Sequence, residues 1–127
     1  MRFLDSVGGV NPVGHYSTAV LLDNGFLFLS GQISIDSSGN IIGSSIREQT
    51  KNILNNVLRI LGELGYSKED IFKVVVYITD ISKFQEFNEV YKEFFGTHKP
   101  VRTTVEVKGL PKGALVEIEV SAFKKLV

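Results

Sequence analysis

The chain has no cysteine and no tryptophan, and only one methionine, two histidines and three prolines among its 127 residues. The missing cysteine excludes disulfides, thiolate metal sites and a cysteine nucleophile. His15 and His98 are too few and too isolated to build a metal site. Lysine plus arginine and aspartate plus glutamate each number 14, so there is no net charge and no general attraction to nucleic acid or to a membrane surface. No apolar run approaches the ~18 residues of a membrane span. Asp5 and the following glycines interrupt the N-terminus where a signal peptide needs an apolar core. Phosphate-binding glycine loops, nucleophile elbows and metal-ligand helix motifs are also missing. These absences together predict a soluble intracellular (cytoplasmic) protein whose chemistry uses no cofactor and no metal.

What is present is ordinary for a globular domain: 43% hydrophobic and 22% charged residues. The length fits one domain, residues 1–127, around one core. Residues up to Gly14 read as an extended lead-in. Tyr16 to Leu22 and Phe26 to Ser30 read as a hairpin around Asp23-Asn24-Gly25. Another turn spans Asp36 to Asn40, and Ile41-Ile42 suggests a short edge strand. Ser45-Ile46-Arg47-Glu48 has capping-box spacing and opens a helix with Ile46, Ile53, Leu54, Val57, Leu58, Leu61 and Leu64 at helical spacing, closed by Gly65. Phe72 to Ile78 reads as a strand buried on both faces. Ser82 is the expected cap of a second helix, with Phe84, Phe87, Tyr91, Phe94 and Phe95 inward and Gly96 at its end. Two more strands follow.

The order ββαβαββ predicts an α+β domain: one mixed β-sheet with two helices packed on one face. Several strands are nevertheless apolar on both sides. Leu27 and Leu29 oppose Phe26 and Phe28, while Val75 and Tyr77 oppose Val74 and Val76. Two helices on one face leave the other uncovered, and a second copy of the chain is the simplest cover.

Pro100 to Val120 reads as two strands around a turn at Gly109 to Gly113. If they pair as a hairpin with their apolar faces matched, Arg102 lies beside Glu119, with Glu117 on the diagonal. A cation and two carboxylates then share one sheet face. From these residues alone, that face also fits a solvated surface with ion pairs worth roughly 0–1 kcal/mol.

The segments Arg102-Thr103-Thr104-Val105-Glu106-Val107, Leu110-Pro111-Lys112-Gly113 and Val116-Glu117-Ile118-Glu119 resemble the C-terminal signature of the Rid family, the reactive-intermediate deaminases also called YjgF or L-PSP. Ser30-Gly31-Gln32 resembles the family's Ser-Gly-Gln element. Phe87 to Phe95 is similar to its Asn-x-x-Tyr-x-x-Phe-Phe pattern, and Gly14, Tyr16 and Ser17 match its Gly-Pro-Tyr-Ser. The chain departs from the pattern at His15, Thr18 and Lys99. The resemblance implies a chorismate-mutase-like fold and a homotrimer with clefts between subunits. It implies hydrolysis of 2-aminoacrylate or 2-iminobutanoate to a 2-keto acid and ammonia. In that reading Arg102 grips the substrate carboxylate and Glu117 orients a water and relays its proton. Tyr16, Ser30, Gly31, Asn88 and Thr104 line the cleft. Two other readings stay open: a small-carboxylate-binding, chaperone-like or translation-inhibiting module, and an endoribonuclease, against which the zero net charge speaks.

Overall fold

The structure is a computed structural model, and it describes residues 1–126. Its elements are β1 (Arg2–Leu4), β2 (Ala19–Leu21), β3 (Phe26–Leu29), α1 (Ile46–Glu63), β4 (Ile71–Ile78), α2 (Phe84–Phe95), β5 (Val101–Glu106) and β6 (Val116–Phe123). All six strands form one sheet in the order β1-β2-β3-β6-β4-β5. Every neighbouring pair is antiparallel except β4 and β5, which run parallel and are joined through α2. The expected mixed sheet with two helices on one face is present.

Helix α1 begins where the spacing predicts. The Ser45 hydroxyl accepts the Glu48 backbone N–H at 3.1 Å, satisfying a donor that the helix cannot. The Glu48 carboxylate in turn accepts from the Ser44 N–H and the Ser45 hydroxyl, which holds its pKa below the usual carboxylate range. Gly65, at φ +82°, lets the chain leave the helix left-handed. The second helix starts differently. Asp80, not Ser82, is the cap: its carboxylate accepts the Ser82 N–H at 3.0 Å, opening a short 3₁₀ turn, Ile81–Lys83, that runs into α2.

One sheet face meets the helices. Ile53, Val57, Ile60, Leu61 and Phe87 pack there on Leu27, Val74, Val76, Ile118 and Val120, all at most 1% exposed. Each such side chain contributes on the order of 1.5–3 kcal/mol, which fixes α1 and α2 firmly on the sheet.

The other face is open. Its exposed apolar members are Phe3, Phe28, Phe72, Phe123, Val101 and Val105. Phe26 gathers its neighbours into a cluster, with ring centroids 4.7 Å from Phe123 and 5.8 Å from Phe72. Strand β4 is therefore buried on one face only. Val74, Val76 and Ile78 are sealed, Val75 and Tyr77 are half-buried, and Lys73 is exposed. Two further elements differ from expectation. The lead-in supplies the edge strand β1, and Ile41 makes only a single bridge to Ile35.

The largest correction concerns the last two strands. β5 and β6 do not pair as a hairpin, because β4 lies between them. Arg102 aligns with Val74 and, across it, with Val120, whereas Thr103 aligns through Val75 with Glu119. A shift of one residue in register reverses the face of every side chain. Arg102 and Thr104 consequently join the helix-facing set, while Glu117 and Glu119 lie on the open face.

Candidate functional site

The predicted site residues fall into two groups, one on each face of the sheet. The first is built on β5 and α2. Strand β5 is the sheet's edge, paired on one side only, so its outer backbone groups are free of strand partners. Arg102 reaches from it over α2, where its Nη1 donates to Asn88 Oδ1 at 2.8 Å. The guanidinium carbon lies 4.7 Å from the Tyr91 ring centre and 5.2 Å from that of Phe84. Asn88, a polar residue inside an aromatic stripe, thus finds its partner in a cation rather than in a loop backbone. Arg102 makes no ion pair among the described residues. Thr104, two residues on and facing the same way, has a buried hydroxyl without a partner. The Tyr91 hydroxyl is similarly buried and unpartnered. Burial pushes the Tyr91 pKa up, and the Arg102 charge pulls against that rise.

The second group is built where β3 runs on beside β6. Gln32 and Ile118 exchange backbone hydrogen bonds at 2.8 and 3.0 Å, which lays Gly31 against Glu117. A Cβ at Gly31 would stand 2.8 Å from both Cδ and Oε2 of Glu117, so any larger residue would displace the carboxylate. The Ser30 hydroxyl donates to the Ser17 carbonyl at 2.5 Å, tying this segment to the chain just after Tyr16. The Tyr16 hydroxyl accepts the Val13 N–H at 3.2 Å, which fixes the ring beside a groove also lined by Phe3, Ser17, Phe28 and Ser30. Glu117 is half-buried. Burial raises its pKa above the usual carboxylate value, and the charge of Glu119, two residues along the same face, raises it further. The result is a carboxylate made more basic by its surroundings and held against a bare stretch of backbone.

Gly31 is thus brought against Glu117, and Ser30 with Tyr16 lines the adjoining groove; Asn88 is brought to Arg102, with Thr104 on the same face of β5. The two groups are not brought together within one chain. No group of three or more acidic or histidine side chains among the described residues is placed to hold a metal. No described helix is long and apolar enough to cross a membrane. Sequence reasoning missed the aromatic partners of Arg102. Phe84 and Tyr91 were legible as inward-facing, and their spacing around Asn88 was the available signal.

A family model described as Endoribonuclease L-PSP matches residues 9–124. The chain belongs to the Rid/L-PSP family. A RutC family protein of Aquifex aeolicus is 50% identical to this Rid chain over 98% of it and 100% of the relative. The human protein named 2-iminobutanoate/2-iminopropanoate deaminase is 36% identical over 97% of this chain and 90% of its own. Among solved structures, E. coli TdcF with bound serine superposes with a TM-score of 0.89 at 35% identity, covering 98% of this chain and 100% of that one. RidA from Psychrobacter gives a TM-score of 0.90 at 30% identity, with the same coverage. The Rid fold implied by the sequence is therefore the fold of the chain.

Proposed function

We propose that this Rid protein hydrolyses small imines and enamines of amino-acid origin, such as 2-aminoacrylate and 2-iminobutanoate, to 2-keto acids and ammonia. One observation carries the proposal: a guanidinium with no carboxylate partner and a carboxylate of raised basicity, each held by its own supporting residues. Arg102 grips the substrate carboxylate through paired, charge-assisted hydrogen bonds. Glu117 orients a water and takes its proton as the oxygen adds to the imine carbon. That proton passes to the nitrogen, giving a carbinolamine; its hydroxyl then gives up its own proton to the departing amine as the C–N bond breaks, so ammonia leaves behind a keto group. An enamine such as 2-aminoacrylate first gains a proton at its β-carbon and loses one from nitrogen, which converts it to the imine. An imine carbon is already electrophilic, so positioning and one carboxylate suffice without a cofactor. The name of the human relative and the small carboxylic acid bound to TdcF both support this reading. The net charge of zero disfavours an RNA substrate.

Because Arg102 and Glu117 face opposite ways, the working site combines Arg102 of one copy with Glu117 of the next. The exposed aromatic face gives the copies a surface on which to pack. A closed ring provides one such site per junction, and the family resemblance supplies three as the number of copies. Arg102→Ala and Glu117→Gln chains, each inactive alone, should regain activity when co-expressed. Random mixing in equal amounts leaves about one junction in four with both intact residues, so roughly a quarter of wild-type activity returns. Mixed oligomers as inactive as either parent would overturn the shared site. Light scattering that gives a monomer mass at micromolar concentration would also overturn it.

The electrostatics predict a pH profile. Glu117 must be ionised to accept a proton, so kcat falls in acid, with its inflection above the ordinary glutamate value of about 4.3. Glu119→Gln removes the lesser cause of the shift and leaves burial, the greater one. The inflection should move to lower pH without reaching the ordinary value. An unmoved inflection would show that Glu119 does not act on the titrating group.

A further inference from the structure

We propose that Phe84 and Tyr91 are positioning residues that hold the Arg102 guanidinium ready for a carboxylate. This rests on the reading of Arg102 as the substrate clamp, but the geometry behind it is independent of turnover. Phe84, Asn88 and Tyr91 are spaced i, i+4 and i+7 on α2, one stripe along the helix. The asparagine lies between the two aromatics, and Arg102 meets all three: Asn88 Oδ1 at 2.8 Å and the two ring centres at 5.2 and 4.7 Å.

The stripe is rigid from below. The Tyr91 ring lies 5.5 Å from Phe87 and 4.7 Å from Phe95, both buried. Phe84 lies 6.0 Å from Phe87. The guanidinium therefore rests on immobilised rings that attract cations through their faces.

Hydrogen bonding completes the arrangement. Asn88 occupies Nη1, and no described residue accepts from Nε or Nη2. Those two donors form the side-on fork that matches a carboxylate. An arginine free to rotate would lose side-chain freedom on every binding event. An arginine already held by α2 has lost it beforehand, so affinity improves with no added contact to the ligand. The Tyr91 hydroxyl lies close enough to the guanidinium for Arg102 to lower its pKa, but it makes no hydrogen bond of normal geometry; the ring face is what counts.

The test is equilibrium binding of 2-oxobutanoate to the assembled wild-type protein, to Phe84→Leu, Tyr91→Leu and Tyr91→Phe, with KM and kcat on 2-iminobutanoate beside it. Each leucine variant should weaken binding and raise KM by about 3- to 10-fold with kcat nearly unchanged, the loss of one cation–π contact and part of the preorganisation. Tyr91→Phe should behave as wild type. Tyr91 belongs to the core, whereas Phe84 is only half-buried, so Phe84→Leu carries the test if Tyr91→Leu does not fold. Wild-type affinity in the leucine variants would overturn the proposal, as would a Tyr91→Phe defect equal to that of Tyr91→Leu. If the wild-type protein neither binds the keto acid nor turns over the imine, the clamp reading fails. The Arg102 Nε–H resonance then decides the positioning role. Its ring-current shift should move toward a free arginine value in Phe84→Leu, and an unchanged resonance would overturn the proposal.

Discussion

Glu117→Gln lowers kcat for 2-iminobutanoate by about 10²- to 10⁴-fold, the usual contribution of a positioned general base, while 2-oxobutanoate binding survives. Glutamine has nearly the same shape, so it fits against Gly31 and still holds a water, but it cannot take the proton. Stability should move the other way. Folding raises the pKa of this carboxyl, which means that the folded state favours the protonated form. Stability linked to Glu117 is therefore greatest below the ordinary glutamate range and declines as pH rises through the raised value. At neutral pH the ionised carboxylate works against the fold, and the neutral amide relieves it. Steady-state kinetics with a thermal melt at pH 7 test both parts: activity should collapse while Tm holds or rises. A lower Tm accompanying the lost activity would recast Glu117 as a structural residue. If Glu119→Gln is the inactive variant instead, the wrong carboxylate of the pair has been assigned.

Arg102→Lys lowers kcat/KM on the same substrate by roughly 10- to 150-fold. That range corresponds to losing a charge-assisted hydrogen bond worth on the order of 1.5–3 kcal/mol. Lysine keeps the charge and most of the stem, so long-range attraction and oligomer mass should both be preserved. It cannot present two parallel donors to a carboxylate, nor lie flat on Phe84 and Tyr91 while bonding Asn88. Unchanged turnover would reject Arg102 as the clamp. Lost turnover with a dissociated oligomer would make Arg102 an interface residue first.

The elements of the fold were legible because their signals are local. The Ser45–Glu48 cap, the aromatic stripe of α2 and the glycines that end both helices each depend on a few adjacent residues. The open apolar face was legible too, since alternation in β3 and β4 places large side chains on both sides. The neighbours of β5 were not. Val101, Thr103 and Val105 alternate with Arg102, Thr104 and Glu106, a pattern that any partner strand can satisfy. The turn residues between Gly109 and Gly113 pointed to the nearest one. Nothing local states that β4, laid down some thirty positions earlier, takes the place between them. The site reading inherited this limit. The residue types and the two carboxylates were visible, whereas the division of Arg102 from Glu117 depends on register, which is set across the sheet.

The place of β6 in the sheet has a consequence for how the protein is made. Made last among the strands, it lies between β3 and β4 and holds the two halves of the sheet together. Until it emerges from the ribosome, β3 and β4 each show an unpaired edge, and the helices have no closed sheet to rest on. The sheet therefore cannot form strand by strand as the chain is made, and its unpaired edges must be kept from those of neighbouring chains until β6 has emerged. A stop codon anywhere before Val116 would yield no working fragment, only two strand edges looking for a partner.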